Sequence, residues 1–197
     1  MRNSTIEAIV SCVLFAAAAG TALAEGGGIG QFGKDLGEGV TQGLKAELVP
    51  AADKDFMVNA ASGGVAEVDM ARIALEKATL PTVKEYAQHM INDHTKANDE
   101  LRRIATSKGI TLADVPNANH KAMVDRISAT PASDFDKTYI HEAGVKAHQE
   151  MQTLFRNEST SGLDPDIKAF AAKTLPTVET HLKQSEKIHD ELLAPPQ

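Results

Sequence analysis

From Asp53 to Leu193 the apolar residues recur three and four positions apart, and no stretch alternates with the period of a strand. This spacing confines the chain to helix packed on helix. Breaks in the pattern divide it into amphipathic segments at about 53–78, 81–108, 134–158 and 164–193. Gly109 suits the C-terminal cap of the second segment, and Asp164–Pro165 reads as the N-cap and first position of the fourth. The connection "GITLADVPNANHKAMVDRISATPAS" separates the second and third, with a short helix predicted over about 117–128. Four helices of about 26 residues with one long middle connection predict an all-α four-helix bundle, assigned to residues 51–197.

The pentapeptide "TLPTV" occurs twice, at Thr79–Val83 and Thr174–Val178, an offset of 95 (174 − 79). Other similarities contradict that register. "VKEYA" at 83–87 pairs with "IKAFA" at 167–171 (offset 84), and "AEVDM" at 66–70 with "AHQEM" at 147–151 (offset 81). Helices one and two therefore correspond to three and four, and the two pentapeptides are not equivalents. Pro81 begins a helix, where its missing N–H costs little. Pro176 falls inside one, where it deprives the Ala172 carbonyl of a donor and predicts a kink.

The N-terminus is a separate object. Arg2 precedes the apolar run "AIVSCVLFAAAAG", and Ala22–Ala24 forms a small-x-small cleavage site before Glu25. The run is shorter than the roughly 20 residues of a membrane span, so residues 1–24 read as a signal peptide and the protein as exported and periplasmic. Cys12 precedes most of the apolar run, which argues against a lipoprotein acceptor; cleavage after Ala24 leaves no cysteine, and so neither disulfides nor thiolate ligands. Residues 25–50 contain eight of the fourteen glycines. Their apolar residues have helical spacing, but each glycine costs a helix up to about 1 kcal/mol, which favours a flexible tether over an amphipathic segment that contacts a membrane surface or an envelope partner. The net charge of −7, with no basic run, excludes nucleic acid as a partner. The oligomeric state has no signature in the sequence.

A helical projection shows which polar residues interrupt the apolar faces. On helix two, Val83, Ala87, Met90, Leu101 and Ala105 lie within about 40° of His94; on helix one, Phe56, Ala60, Gly63, Ala71, Ala74 and Ala78 lie within about 40° of Glu67. A buried acid and a buried imidazole each need a partner. His148, equivalent in register to Glu67, lies about 80° from the centre of its own apolar face, and His181 about 60° from that of helix four. All four stand near mid-helix. His89 and Glu85 face outward, His189 is inward near a helix end, His141 lies near the start of helix three, and His120 belongs to the connection. Met57, Met70, Met90 and Met151 lie on or beside the apolar faces, a pattern more often core filling than a copper site.

"ASGGVAEVDMARIALEKA", "VKEYAQHMINDHTKAN" and "IKAFAAKTLPTVETHLK" together resemble domain of unknown function 4142, a bacterial envelope family. The resemblance covers about residues 52–193; Asp93–Thr95 with Asn98, and Leu175–Thr177 with His181, are its most recognisable elements. It implies an exported protein with a ferritin-like bundle and carries no established activity. Ferritin-like di-iron sites use Glu from two helices and Glu-x-x-His from the other two. Here Ile91 and Val178 stand three residues before His94 and His181, and Glu186-x-x-His189 has no mate, which argues against di-iron oxidase and ferroxidase chemistry.

Glu67, His94, His148 and His181 remain as a ligand set for a single transition-metal ion such as Zn, Cu, Fe or Ni. The leading reading of the sequence is a non-catalytic envelope or stress-associated interaction protein, with Glu67 and His94 as a buried pair that fixes helix register. The alternative is a mononuclear metal-binding protein using all four residues. A third reading, an oxidoreductase or hydrolase with His94 as base and Glu67 as its orienting group, lacks an accompanying nucleophile or phosphate cradle.

Overall fold

The computed structural model describes residues 40–41 and 43–194; the expected signal peptide and most of the Gly-rich segment lie outside the described residues. Of that segment, residues 40–41 and 43–48 are helical. Seven of its eight glycines precede residue 40, and the remainder is rich in the helix formers Leu, Lys, Ala and Glu. Val40, Leu44 and Leu48, spaced along one helix face, are 62%, 58% and 83% exposed.

The main helices are α1 (Ala51–Lys77), α2 (Pro81–Ser107), α3 (Ala118–Ala129), α4 (Phe135–Tyr139), α5 (Ala147–Ser161) and α6 (Pro165–Leu193), with a π-helical turn at Ile140–Lys146 between α4 and α5. No strand occurs among the described residues. Helix α1 packs along α2 and α5 along α6; the two hairpins meet through α2 against α6 and α1 against α5, and α3 lies on α1.

The caps follow from local sequence. Gly109, at φ 73°, closes α2: its N–H donates to the Thr106 carbonyl, and that of Ile110 donates to Ala105, a Schellman arrangement. The Asp164 side chain accepts from the N–H groups of Asp166 and Ile167, and Pro165 follows as the first helical residue. Two buried aspartates, 83 residues apart (136 − 53), cap the opposite hairpins. Asp136 accepts from the N–H groups of Thr79 and Leu80 and from the Thr79 hydroxyl. Asp53 accepts from the N–H groups of Leu163 and Asp164. The shared role and the offset match the register of 81–84 that relates the two halves. The first "TLPTV" thus forms a capped turn, whereas the second lies inside α6, where helix assignment continues through Pro176.

The third predicted segment is not a uniform α-helix. The π-helical turn holds one more residue than an α-turn, with the Ala147 N–H donating to Glu142, five residues back. Its Gly144 sits tightly against α6, where an added Cβ would stand 2.7 Å from the Cβ of Ser185. Within α5, His148 shares a buried stripe with Met151 and Phe155. The π-helical turn shifts the phase of that stripe against the apolar positions before it, so a projection with constant 100° steps across the whole segment placed His148 well to one side.

Two apolar clusters fill the interior. One includes Phe56, Met57, Leu101, Phe155, Ile167 and Phe170; the other includes Met70, Val83, Met90, Phe135, Tyr139 and Ile140. On α1, α2 and the run through α5, residues of one cluster precede the polar position and residues of the other follow it. Glu67, His94 and His148 therefore form a polar layer between two apolar blocks, and His181 on α6 follows Val178 into that layer.

Candidate metal centre

All four residues singled out from the helical projections come together. Glu67 is 4% exposed, His94 6%, His148 0% and His181 3%. The three histidine rings form a nearly equilateral triangle, with centroids 5.6 Å apart for His94–His148 and 5.4 Å for both His94–His181 and His148–His181.

Each ring is held from one side. Nδ1 of His94 lies 2.9 Å from Oε2 of Glu67. Nδ1 of His148 lies 3.0 Å from the carbonyl of Ala143, in the π-helical turn, and 3.6 Å from Oε1 of Glu67. Nε2 of His181 lies 3.1 Å from Oδ2 of Asp93. The opposite nitrogens, Nε2 of His94, Nε2 of His148 and Nδ1 of His181, are buried without a hydrogen-bond partner. One ligating nitrogen from each ring lies within 4.8 Å of the others. Tetrahedral coordination at about 2.0–2.1 Å would bring them to about 3.3 Å apart, a closure of the order of an ångström.

The charges are unequally distributed. Burial acts to raise the Glu67 carboxyl, but the charges of His94 and His148 and the His94 contact outweigh it and hold the group down at about 2. Burial opposes protonation of His94, yet Glu67 overcomes it and raises that imidazole above its ordinary value. Burial lowers His148, with Glu67 offsetting only part of the effect. Burial, followed by the charges of His94 and His148, depresses His181 to about 4. At neutral pH the cluster therefore holds an ionised Glu67 and a neutral His181, with His148 shifted toward its neutral form and His94 toward its protonated form.

The outer partners fix the tautomers of the neutral rings. A carbonyl and a carboxylate only accept, so His148 donates from Nδ1 to Ala143 and His181 donates from Nε2 to Asp93. Their inner nitrogens carry lone pairs. Nε2 of His94 is likewise buried and unpartnered, and a metal ion bound there would replace any proton it carries. A metal-bound histidine commonly has its other ring nitrogen held by a carbonyl or carboxylate oxygen, as each of these rings is held here.

Glu67 is placed beside the rings, against the outer nitrogens of His94 and His148, and the group of mutually close donors comprises the three histidines. Asp93 and the Ala143 carbonyl are contributors that the sequence projections did not find. Asp93 adjoins His94 in sequence, but nothing in the periodicity directs it to α6; Ala143 depends on the π-helical turn. His89 and Glu85 are exposed, as their outward positions predict. His141 and His189 stack on each other at 5.0 Å, away from the three-histidine cluster.

No curated protein matches the chain. Among solved structures, the crystal structure of a DUF305 fragment from Deinococcus radiodurans is similar in fold, with a TM-score of 0.64 and 13% identity, covering 73% of this chain and 98% of that one. The model of domain of unknown function DUF4142 matches residues 39–188. The chain belongs to the DUF4142 family.

Proposed function

We propose that this protein is a ferritin-like four-helix bundle that holds one transition-metal ion through His94, His148 and His181, with Glu67, Asp93 and the Ala143 carbonyl orienting the rings. One observation carries the reading: three buried histidines from three helices bring a ring nitrogen each within 4.8 Å of the others, and every one of these rings has a buried nitrogen with no hydrogen-bond partner. Leaving such donors buried and unpaired costs about 1–3 kcal/mol each. Three neutral imidazoles suit Zn, Cu, Fe or Ni, and a three-histidine set leaves a position for water or another small ligand. An ion there would supply Lewis acidity or a held site for transport or storage.

This reading is preferred over a cofactor-free interaction protein because the Glu67–His94 pair accounts for those two residues but not for the convergence of His148 and His181. The charge pattern separates the two readings experimentally. Binding of Zn²⁺ should release the proton of His94, so the calorimetric enthalpy should vary with the ionisation enthalpy of the buffer near neutral pH. Absence of a binding heat in every buffer would refute the proposal.

The location we propose is the periplasm, supported by residues 1–24. Intact-mass measurement of exported protein should give a chain beginning at Glu25; a mature envelope fraction that retains Met1 would contradict it. The exposed row Val40, Leu44 and Leu48 supports weak contact between this segment and a membrane surface or envelope partner. Among the described residues no helix is long and apolar enough to cross a membrane.

A further inference from the structure

Met57, Met70, Met90 and Met151 all belong to the apolar clusters. Of these, Met70 and Met151 also line, with Met123, one cavity of about 240 Å³ between α1, α3 and α5, together with His120 and Gly63. Met70 and Met151 are buried, 1% and 7% exposed, yet both face this space. The cavity also reaches Glu67, so it borders the polar layer without including any of the three clustered histidines.

The cavity wall is constructed rather than residual. Gly63 is on the buried face of α1, and a Cβ there would stand 3.3 Å from the Sδ of Met151 and 3.6 Å from Cε1 of His120. The missing side chain therefore brings a thioether and an imidazole to one point. His120 is anchored through Nδ1, 2.6 Å from the Ser62 hydroxyl oxygen, which itself accepts from the Asn117 N–H. Its main-chain N–H is capped by Asn117. The remaining ring nitrogen, Nε2, is the one left for a ligand.

Thioethers are soft, uncharged donors that bind d¹⁰ monovalent ions well and hard divalent ions poorly. The largely apolar wall, to which Met70, Met123 and Met151 contribute, favours a cation with low charge. We infer that the cavity lined by Met70, Met123, Met151 and His120 is a second, separate site for a soft monovalent cation of the Ag⁺ or Cu⁺ type.

The test is calorimetric titration of the full mature protein with Ag⁺ in chloride-free buffer, with the three-histidine cluster first saturated with Zn²⁺. Wild type should bind a single equivalent of Ag⁺. Met70→Leu with Met151→Leu conserves volume and should weaken that binding by about tenfold or more. Gly63→Ala, which fills the point of approach, should also weaken it while leaving the helix as stable or more stable. His94→Ala should leave Ag⁺ binding intact, so loss of the Zn²⁺ site and loss of the Ag⁺ site register separately. Failure of wild type to bind Ag⁺, or equal binding by the methionine and Gly63 variants, would overturn the assignment.

Discussion

Nδ1 of His94 stands 2.9 Å from Oε2 of Glu67 at the centre of the protein, and both residues are more than nine-tenths buried. The carboxylate favours the protonated form of His94 when the centre holds no metal, and fixes the ring that would carry a metal when it does. One contact thus serves stability in the first condition and ligand orientation in the second.

Glu67→Gln removes the charge but retains most of the volume. The variant should lose about 1–3 kcal/mol of stability, since the buried His94 loses its ionic partner. Metal affinity should fall by about tenfold to a hundredfold without abolition of binding, because the residue orients a ligand rather than supplying one. Denaturant melts and competitive chelator titration measure the two effects. Complete loss of binding in a folded variant would make Glu67 itself a ligand.

Stability of the metal-free protein should depend on pH in a defined window. His181 has a folded-state value near 4 against an ordinary value of 6.5, and His148 is also lowered. In that interval the unfolded chain binds more protons, so these two residues contribute stability above pH 6.5 that is lost as the pH falls toward 4. Glu67, lowered from 4.5 to about 2, adds a further loss over that more acidic range. His94 acts oppositely: its contribution is present below 6.5 and lost as the pH rises through its elevated value. Thermal melts of stripped protein should show Tm rising between pH 4 and 6.5. A flat or falling profile there would contradict the placement of neutral His148 and His181.

Pro176→Ala restores the N–H that the Ala172 carbonyl lacks and should leave α6 as stable or more stable, by at most about 3 kcal/mol. His181 lies five residues further on, so a change in helix path should shift its ring and weaken metal binding. Unchanged affinity would show that the proline has no part in shaping the site.

Asp136→Ala provides a control remote from the centre. It strips the acceptor from the Thr79 and Leu80 N–H groups and the Thr79 hydroxyl, which should cost about 1–3 kcal/mol. Metal stoichiometry should not change. A parallel loss of metal would mean that the α1–α2 turn is coupled to the centre.

Helix content and the polar layer were legible because both rest on periodicity. Glu67 and His94 lie at the centres of apolar stripes, and burial of an acid and an imidazole implies a partner. His148 was harder to place, since the π-helical turn changes the phase of its helix and no residue pattern in Ile140–Lys146 announces that turn. Asp93 was missed for a different reason: its contact with His181 crosses between α2 and α6, and periodicity within one helix does not fix its rotation against another. The caps divide in the same way. Gly109 and Asp164 act on adjacent backbone, whereas Asp53 and Asp136 act on loops that are distant in sequence and emerge only from the packing of the hairpins.

The central claim is that three histidines from three helices bind one ion, and metal-dependent melting tests it most directly. Stripped wild type, His148→Ala and His181→Ala would be melted with and without Zn²⁺, Cu²⁺ and Fe²⁺. At about a hundred times its Kd a bound ion adds about 2.7 kcal/mol, which for a domain of this size raises Tm by about 5–10 °C. The wild type should show that rise with at least one of the ions, and each histidine variant should lose it. No metal-dependent rise in the wild type, with both variants melting as the wild type does, would contradict the metal centre and leave Glu67 and His94 as a structural pair.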